Sequence, residues 1–416
     1  MLTIKISQQD ILFLFLSMST LTIYKRAPTE PTYLLIFILI LFIILFNFSK
    51  SNKIMKIPCQ RSRNRSCVIN SIIYYSWIGI LFSWLYGALL ALINGVPPED
   101  AFRNFFGLTL YILLPILFFV KPTVGFLVKL LIVFGIIQSG YALMYVYTKF
   151  FITISLIDSI ATARSAYSTG FIVFYPLLAL SLSRYIFGLK IYRENIAKNN
   201  IIRSIFLGKY YILIYICLLV LVPMSKGFTM GVVVLLLIGI LFSVYVQGSR
   251  PSKRLLWVVM LISLFSLYLT YEYFDLIQHM YSSKETSNAK RSEQFLFLVR
   301  EITFFGSGLG SSLQSGYTRS VAGYGFELTY INLIHKLGVF SIFLFISYIL
   351  TILVAINNIL HRRVVYESML SLGLMSYLIP GIGNPILLSP ISVVLHVIAM
   401  YILLKIQLNY HEGKYV

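Results

Sequence analysis

The sequence predicts an all-α polytopic membrane protein with about twelve transmembrane helices, and three observations carry that reading. Of its 416 residues 58% are hydrophobic and only 12% charged, with a mean hydropathy of +0.85, a balance that ordinary soluble domains do not have. Apolar runs of about 15 to 25 residues, near the length a helix needs to cross a bilayer, recur about twelve times. The Lys and Arg residues behind a net charge of +20 gather in short stretches between those runs. Charge placed this way orients helices in a membrane, and it argues against the nucleic-acid partner that a basic chain would otherwise suggest.

The runs cover 10–24, 33–48, 68–93, 103–120, 124–147, 169–187, 210–224, 228–246, 255–273, 327–355, 366–380 and 389–406. The first, second, seventh and eleventh are short. Lys50 to Arg65 holds six basic residues and no acid, Arg184 to Lys209 holds six with one Glu, Arg250 to Arg254 holds three, and His361-Arg362-Arg363 closes the series. With twelve spans all four stretches fall on one side, which the excess of Lys and Arg makes cytoplasmic, and both termini lie there too. The other side receives the NGVPPED turn at 94–100, the segment from Lys149 to Gly170, the tight turn at Lys226, a long loop at 274–326 between helices 9 and 10, and the PGIGNP turn at 380–385. The amino terminus has no small-residue cleavage site after its apolar run and reads as a retained span. Residues 1–416 form a single transmembrane domain without internal repeats. Cys59, Cys67 and Cys217 have no metal or redox spacing and receive no role.

The 274–326 loop is long enough to be functional. Phe295, Leu298, Val299, Ile302 and Phe305 recur at helical spacing, which predicts an amphipathic helix along the membrane surface. The Gly306-Ser307-Gly308-Leu309-Gly310 run lacks the Lys of a nucleotide-binding loop and reads as a flexible turn. No HExxH, GxSxG or metal-ligand cluster is present, so neither a metal nor another cofactor is expected.

Glu327 opens an apolar helix. A charge carried to the bilayer centre costs roughly 2.5 kcal/mol or more, so such carboxylates are usually functional or paired. On a helix, Glu327, Tyr330, Ile331, Ile334 and Gly338 share a stripe. The alternative is an interfacial Glu that reaches water or caps the helix start. Arg291, Arg300 and Arg319 precede it, and Arg164 and Lys226 belong to the same face. Guanidinium groups grip phosphate in bidentate fashion, so their convergence would suit a phosphate-bearing substrate, whereas singly each would serve as a headgroup contact. His335, about two turns inside the helix, is a second catalytic candidate or a histidine bonded to a neighbour.

Four segments together resemble the O-antigen polymerase and O-antigen ligase superfamily of bacterial inner-membrane glycosyltransferases, over roughly residues 160 to 345. ATARSAYSTGFIVFYPLLAL is similar to the family's Arg-containing lead-in to a central span, with Arg164 at the basic position. VPMSKGFTMGVVVLLLIGI resembles its Ser-Arg-Gly turn, as Ser225-Lys226-Gly227. RSEQFLFLVREITFFGSGLG is similar to an Arg-led helix ending in Gly-x-Gly, matching at Arg291, Gly306 and Gly308. FELTYINLIHKLG resembles the His-Asn-x-Tyr-Leu helix start followed by Glu-x-Gly, matching at Tyr330, Ile331 and Gly338. Glu327 replaces the family's His and Lys336 its later Glu. That departure favours a polymerase with a carboxylate base over a ligase.

The resemblance implies a metal-independent glycosyltransferase that moves an undecaprenyl-pyrophosphate-linked glycan onto the terminal sugar of another lipid-linked repeat unit at the periplasmic face of the inner membrane. Glu327 would be the base, while Arg164, Lys226, Arg291, Arg300, Arg319 and Tyr330 would hold the pyrophosphate-bearing substrate. A chain-length regulator and membrane lipid are the further partners implied. Two other readings are a ligase acting on a lipid acceptor and a flippase for the same lipid-linked unit. Charges gathered at one surface count against the flippase, whose ionisable groups belong near the midplane.

Overall fold

The computed structural model describes residues 65–104, 106–153, 168–187, 209–220, 222–223, 225–247, 289–318, 325–361 and 364–411. The apolar runs at 10–24, 33–48 and 255–273, the residues Arg164 and Arg319, and the first part of the long loop lie outside them. Every regular element among the described residues is helical. Helix α1 (Arg65–Ile93) leads through the short α2 (Pro98–Arg103) and a 3-10 segment, Phe106–Ile112, into α3 (Leu113–Val120), and α4 (Val124–Thr153) follows. A second 3-10 segment, Ser168–Val173, runs into α5 (Phe174–Phe187), and then come α6 (Lys209–Val220) and α7 (Lys226–Gln247). Residues 289–300 form α8. Helices α9 (Thr329–Leu337) and α10 (Ile342–Leu360) are joined by a 3-10 turn at Gly338–Ser341, and α11 (Val365–Met375) and α12 (Pro390–His411) complete the described helices.

Three of these stretches are long and apolar enough to cross a membrane: Ile72–Ile93, Val124–Thr148 and Thr329–Leu360. Shorter apolar helices surround them. The stretch from Phe106 to Val120 illustrates how fewer residues cover more distance. With seven residues in 3-10 and eight in α conformation, at about 2.0 and 1.5 Å rise per residue it reaches about 26 Å. Local packing selects the stretched form. Gly107 lies against the Leu388 carbonyl with no room for a Cβ, and the Tyr111 carbonyl accepts the Trp77 indole N–H at 2.7 Å.

Helices α5, α11 and α12 form the centre. From Ile391 to Leu404 nearly every α12 side chain is buried, as expected of a helix that is hydrophobic all round. The one histidine on this stretch is fully partnered: the Tyr111 hydroxyl lies 2.6 Å from Nδ1 of His396, and the Ser347 and Thr351 hydroxyls lie 3.3 Å from its Nε2. Outer helices present the reverse pattern. Met230, Val233, Leu237, Leu241 and Tyr245 line one exposed stripe of α7, and Ile342, Ile349, Leu353 and Leu360 line one of α10. Contiguous apolar stripes on the outside suit acyl chains and not water.

Two of the expected spans are broken. The 366–380 run ends as a helix at Met375 and continues in 3-10 turns at Ser376–Leu378 and Pro380–Ile382, because Pro380 has no amide to donate. The 327–355 run breaks at Gly338, whose φ of +56° is open to glycine and strained for other residues. Alone, α10 covers about 28 Å, nearly the hydrocarbon thickness. Helix α9 is therefore released from spanning and is free to carry polar groups.

The turns at 94–104, 225–227 and 380–385 gather with residues 304–318 and 325–341 at one end of the bundle. Asn94 Nδ2 donates to the Ser307 carbonyl at 3.1 Å, and the Gly310 amide donates to Asn104 Oδ1 at 3.0 Å. Gly227 packs on Pro380, and the Thr329 hydroxyl donates to the Asn384 carbonyl at 3.3 Å. The Pro122 carbonyl marks the other end, where it accepts from Tyr401 and Lys405 at 3.0 and 2.9 Å. In a variant with Cys59, Cys67 and Cys217 replaced by Ser, new cysteines at Lys226 and Ile382 should react with a membrane-impermeant maleimide from the same compartment, and a cysteine at Lys121 only from the opposite one. Labelling of all three from one side would contradict this arrangement.

Candidate active site

At the end where those turns meet, one arginine and one glutamate are joined. Arg291 Nε donates to Glu327 Oε2 at 2.9 Å, and the two side chains are 32% and 27% exposed. Helix α8 supplies the arginine. Along it Arg291, Gln294 and Leu298 recur at offsets of three and four and turn inward, whereas Phe295, Leu296 and Val299 are exposed. Leu298 packs with Leu313 and Phe326 in a small apolar cluster that Leu328 and Ile331 join. The inward face thus fixes α8 to the start of α9. Exposed apolar side chains continue through Ile302, Phe304 and Phe305, next to α1, where the Tyr86 hydroxyl donates to the Phe305 carbonyl at 3.1 Å, while Glu293 and Arg300 are exposed on the side of α8 opposite Arg291.

Glu327 itself precedes its helix, a correction to the stripe expected from the sequence. Helix α9 begins at Thr329, and Leu328, at φ −79° and ψ 73°, is outside helical conformation. The Glu327 carbonyl accepts the Thr329 amide at 2.9 Å. The carboxylate is therefore aimed by a turn, and Gly338 ends α9 and does not lie on its stripe.

The glycine run is likewise corrected. Instead of a free turn, residues 304–310 form a strap sewn to α9 and α1. The amides of Ser307, Gly308 and Val339 reach the carbonyls of His335, Lys336 and Phe304 at 2.9, 3.0 and 2.9 Å, and the Leu309 amide reaches that of Gly87 at 2.9 Å. Gly308 has φ +89°, and a Cβ on it would fall 2.5 Å from the Ala91 nitrogen. Two backbones touch there, and only glycine permits it.

Beneath the strap lie His335 and Lys336, both essentially unexposed. Ser307 Oγ sits 3.2 Å from Nδ1 of His335 and donates to its carbonyl at 3.0 Å. The histidine is thus engaged by a neighbour, the second of the two roles its position suggested. Lys336 Nζ donates to the Ser311 carbonyl and, at 3.1 Å, to its hydroxyl, with the Phe326 ring centroid at 5.5 Å. A buried ammonium must be hydrogen-bonded to persist. Glu301 ends the strap on its solvent side: its carboxylate takes the amides of Gln314 and Ser315 at 2.7 and 3.0 Å. Partial burial pushes its pKa up, but these amides outweigh that and hold the carboxyl below its ordinary range.

The other candidates are placed unequally. Lys226 is exposed at the start of α7, beside the Gly227 that packs on Pro380, and a Cβ added to Gly383 of the same 380–385 turn would fall 4.0 Å from the Arg291 guanidinium carbon. Arg300 does not join them. Nine residues along α8 turn it half a revolution from Arg291 and carry it about 13 Å away, to an exposed position. The Tyr330 hydroxyl donates to the Leu378 carbonyl at 2.9 Å and its ring stacks on Phe345. It braces α9 instead of facing the ion pair. Gln294, Asn332 and Lys336 are buried polar residues here that the sequence reading passed over as functional. Lys336 carried a signal, since an ionisable group inside an apolar run is unusual. Among the described residues no group of His, Cys, Asp and Glu is arranged to hold a metal ion. No protein-family model, curated protein or solved structure matches this chain.

Lys336→Met keeps the stem and removes the donor to Ser311. It should raise amide hydrogen exchange across 307–314 by about tenfold, the equivalent of one hydrogen bond, and unchanged protection would show that the amine does not hold the strap. Because the Glu301 pKa is lowered by folding, its contribution is present above the unfolded value of about 4.3 and is lost as pH falls through the lower folded value. Protease resistance of the strap should accordingly be weaker in Glu301→Gln than in the unaltered protein at pH 7, and the two should converge at the acid end. A constant difference across that range would contradict this role.

Proposed function

We propose that this chain is a metal-independent glycosyltransferase of the bacterial inner membrane, with about twelve spans and both termini cytoplasmic, that polymerises lipid-linked glycan repeat units at the periplasmic face. The 2.9 Å Arg291–Glu327 pair is the observation that carries the reading. It sits partly exposed at the end that the basic loops assign to the periplasm, on a helix that also exposes Phe295, Leu296 and Val299. A diphosphate headgroup carried by a lipid would arrive at that level.

The residues then have distinct tasks. An incoming diphosphate competes with the carboxylate for Arg291, because a guanidinium binds either oxyanion in the same forked geometry. Glu327, relieved of its partner, accepts the proton of the attacking sugar hydroxyl. The hydroxyl oxygen forms the new bond to the anomeric carbon as the bond from that carbon to the diphosphate breaks. The electron pair leaves with the lipid diphosphate, where Arg291 and Lys226 meet the developing charge. Arg164 and Arg319 remain proposed ligands of the same diphosphate by sidedness. The exposed face of α8 rests in the outer leaflet and sets the height of the site. No cofactor enters, since the diphosphate is already an activated leaving group.

Glu327→Gln should lower chain extension by about 10²- to 10³-fold, the usual loss of a general base, with single lipid-linked repeats accumulating and the protein still inserted. Arg291→Ala should do the same and Arg291→Lys should restore only part of the activity. Near-normal chain length in Glu327→Gln would remove the carboxylate from the reaction. Accumulation of long lipid-linked polymer would identify a ligase instead.

A further inference from the structure

Behind the ion pair two buried amide side chains are left without a counterpart. Gln294 stands one turn along α8 from Arg291 and is 0% exposed. Its Oε1 accepts the Leu328 amide at 3.4 Å, whereas its Nε2 has no hydrogen-bond partner among the described residues. Asn332 is 2% exposed, and its backbone amide donates to the Leu328 carbonyl at 2.9 Å. Its Oδ1 is also without a partner among the described residues. The Gln294 side chain is therefore held at Leu328, the residue that follows Glu327, and Asn332 stands one helical turn beyond Leu328 on α9. One presents an unmatched donor and the other an unmatched acceptor.

Each such group destabilises the fold if left unmatched, and the large majority of buried polar atoms in folded proteins are matched. The inward face of α8 is anchored by Leu298, by the Arg291 pair and by Gln294 Oε1, none of which uses Gln294 Nε2. The strap is secured at the next turn of α9 through Lys336 and Ser311, without Asn332 Oδ1. What the two atoms have in common is a requirement for a ligand that accepts one hydrogen bond and donates another. An alcohol hydroxyl does both, and a sugar ring carries such hydroxyls side by side.

We propose that Gln294 Nε2 and Asn332 Oδ1 form a hydroxyl-reading subsite for the sugar attached directly to the diphosphate, with Gln294 donating and Asn332 accepting. The proposal rests on the glycosyltransferase reading and names the part of its substrate that these residues recognise. They are specificity-determining residues: Arg291 holds the diphosphate and the amide pair distinguishes a sugar-bearing lipid from the bare one. Glycerol headgroups in the bilayer offer the same chemistry, and the glycan is chosen because it is tethered to the group Arg291 would bind.

Binding separates this proposal from the reading it rests on. The full chain in phosphatidylcholine nanodiscs would be titrated with undecaprenyl diphosphate and with undecaprenyl diphosphate bearing glucose, galactose or N-acetylglucosamine. The unaltered protein should bind at least one sugar-bearing lipid about tenfold more tightly than the bare lipid, the scale of one to two hydrogen bonds. Gln294→Leu and Asn332→Leu should each bring that ratio near one while leaving affinity for the bare lipid unchanged. Where a Leu variant does not insert, Gln294→Glu and Asn332→Asp serve, and each should alter the ratio with bare-lipid binding retained. Arg291→Ala should weaken bare and sugar-bearing lipid alike. Equal affinity of the unaltered protein for all four lipids, or equal loss for bare and sugar-bearing lipid in the amide variants, overturns the subsite. Loss of sugar preference when phosphatidylglycerol is added would assign the hydroxyl to the bilayer and also overturn it. Absence of binding to any diphosphate lipid would instead overturn the glycosyltransferase reading.

Discussion

A carboxylate and a guanidinium held 2.9 Å apart at the edge of an apolar bundle set the terms for the surrounding structure. Neither group is stable alone beside hydrocarbon, so the two must be delivered together, and they come from elements 36 residues apart in the chain. Two devices achieve this. Leu298, Leu313 and Phe326 fix α8 to the start of α9, and the glycine strap is bonded to α9 on one side and α1 on the other. The strap works because Gly306, Gly308 and Gly310 take φ values of +81°, +89° and +77° in places where backbone meets backbone. Side chains there would separate the helices that position the pair.

Charge and hydropathy carried much of this in the sequence. The alternation of basic loops placed the turns at 94–100, 226 and 380–385 on one side, and in the structure those turns meet at one end. The helical spacing around Phe295 foretold α8, whereas the shared face of Arg164, Lys226, Arg291, Arg300 and Arg319 did not show which of them would meet Glu327. Periodicity was less informative about the ends of helices. It could not show that Leu328 leaves helical conformation, that Gly338 stops α9, or that Pro380 truncates the eleventh run, since each is set by a single residue and not by the repeat. The glycine run looked flexible because its partners, Gly87, Ala91 and Asn104, are about 200 positions away. Buried polar groups were least visible of all. Gln294 reads as one polar residue among many on α8, and only its position relative to Leu328 sets it apart.

The same features allow the ion pair to be both a structural contact and a site. In the resting protein each member neutralises the other, which lets α8 lie with Phe295, Leu296 and Val299 outward and still bring Arg291 inward. In the proposed function a diphosphate that takes the arginine would provide the replacement charge, so the carboxylate would become basic only when substrate is present. Coupling of this kind would limit proton transfer to the occupied state. Lys336, bonded to Ser311 under the strap, holds the loop.

Reconstitution tests the central claim most directly. Purified protein in nanodiscs, supplied with lipid-linked repeat units and no ion gradient, would be assayed for glycan length and for released undecaprenyl diphosphate. One lipid diphosphate should be released for each unit added to the chain, with both products lost in Glu327→Gln. Lipid-linked units that stay unextended, with no diphosphate lipid released by the unaltered protein, would contradict that claim.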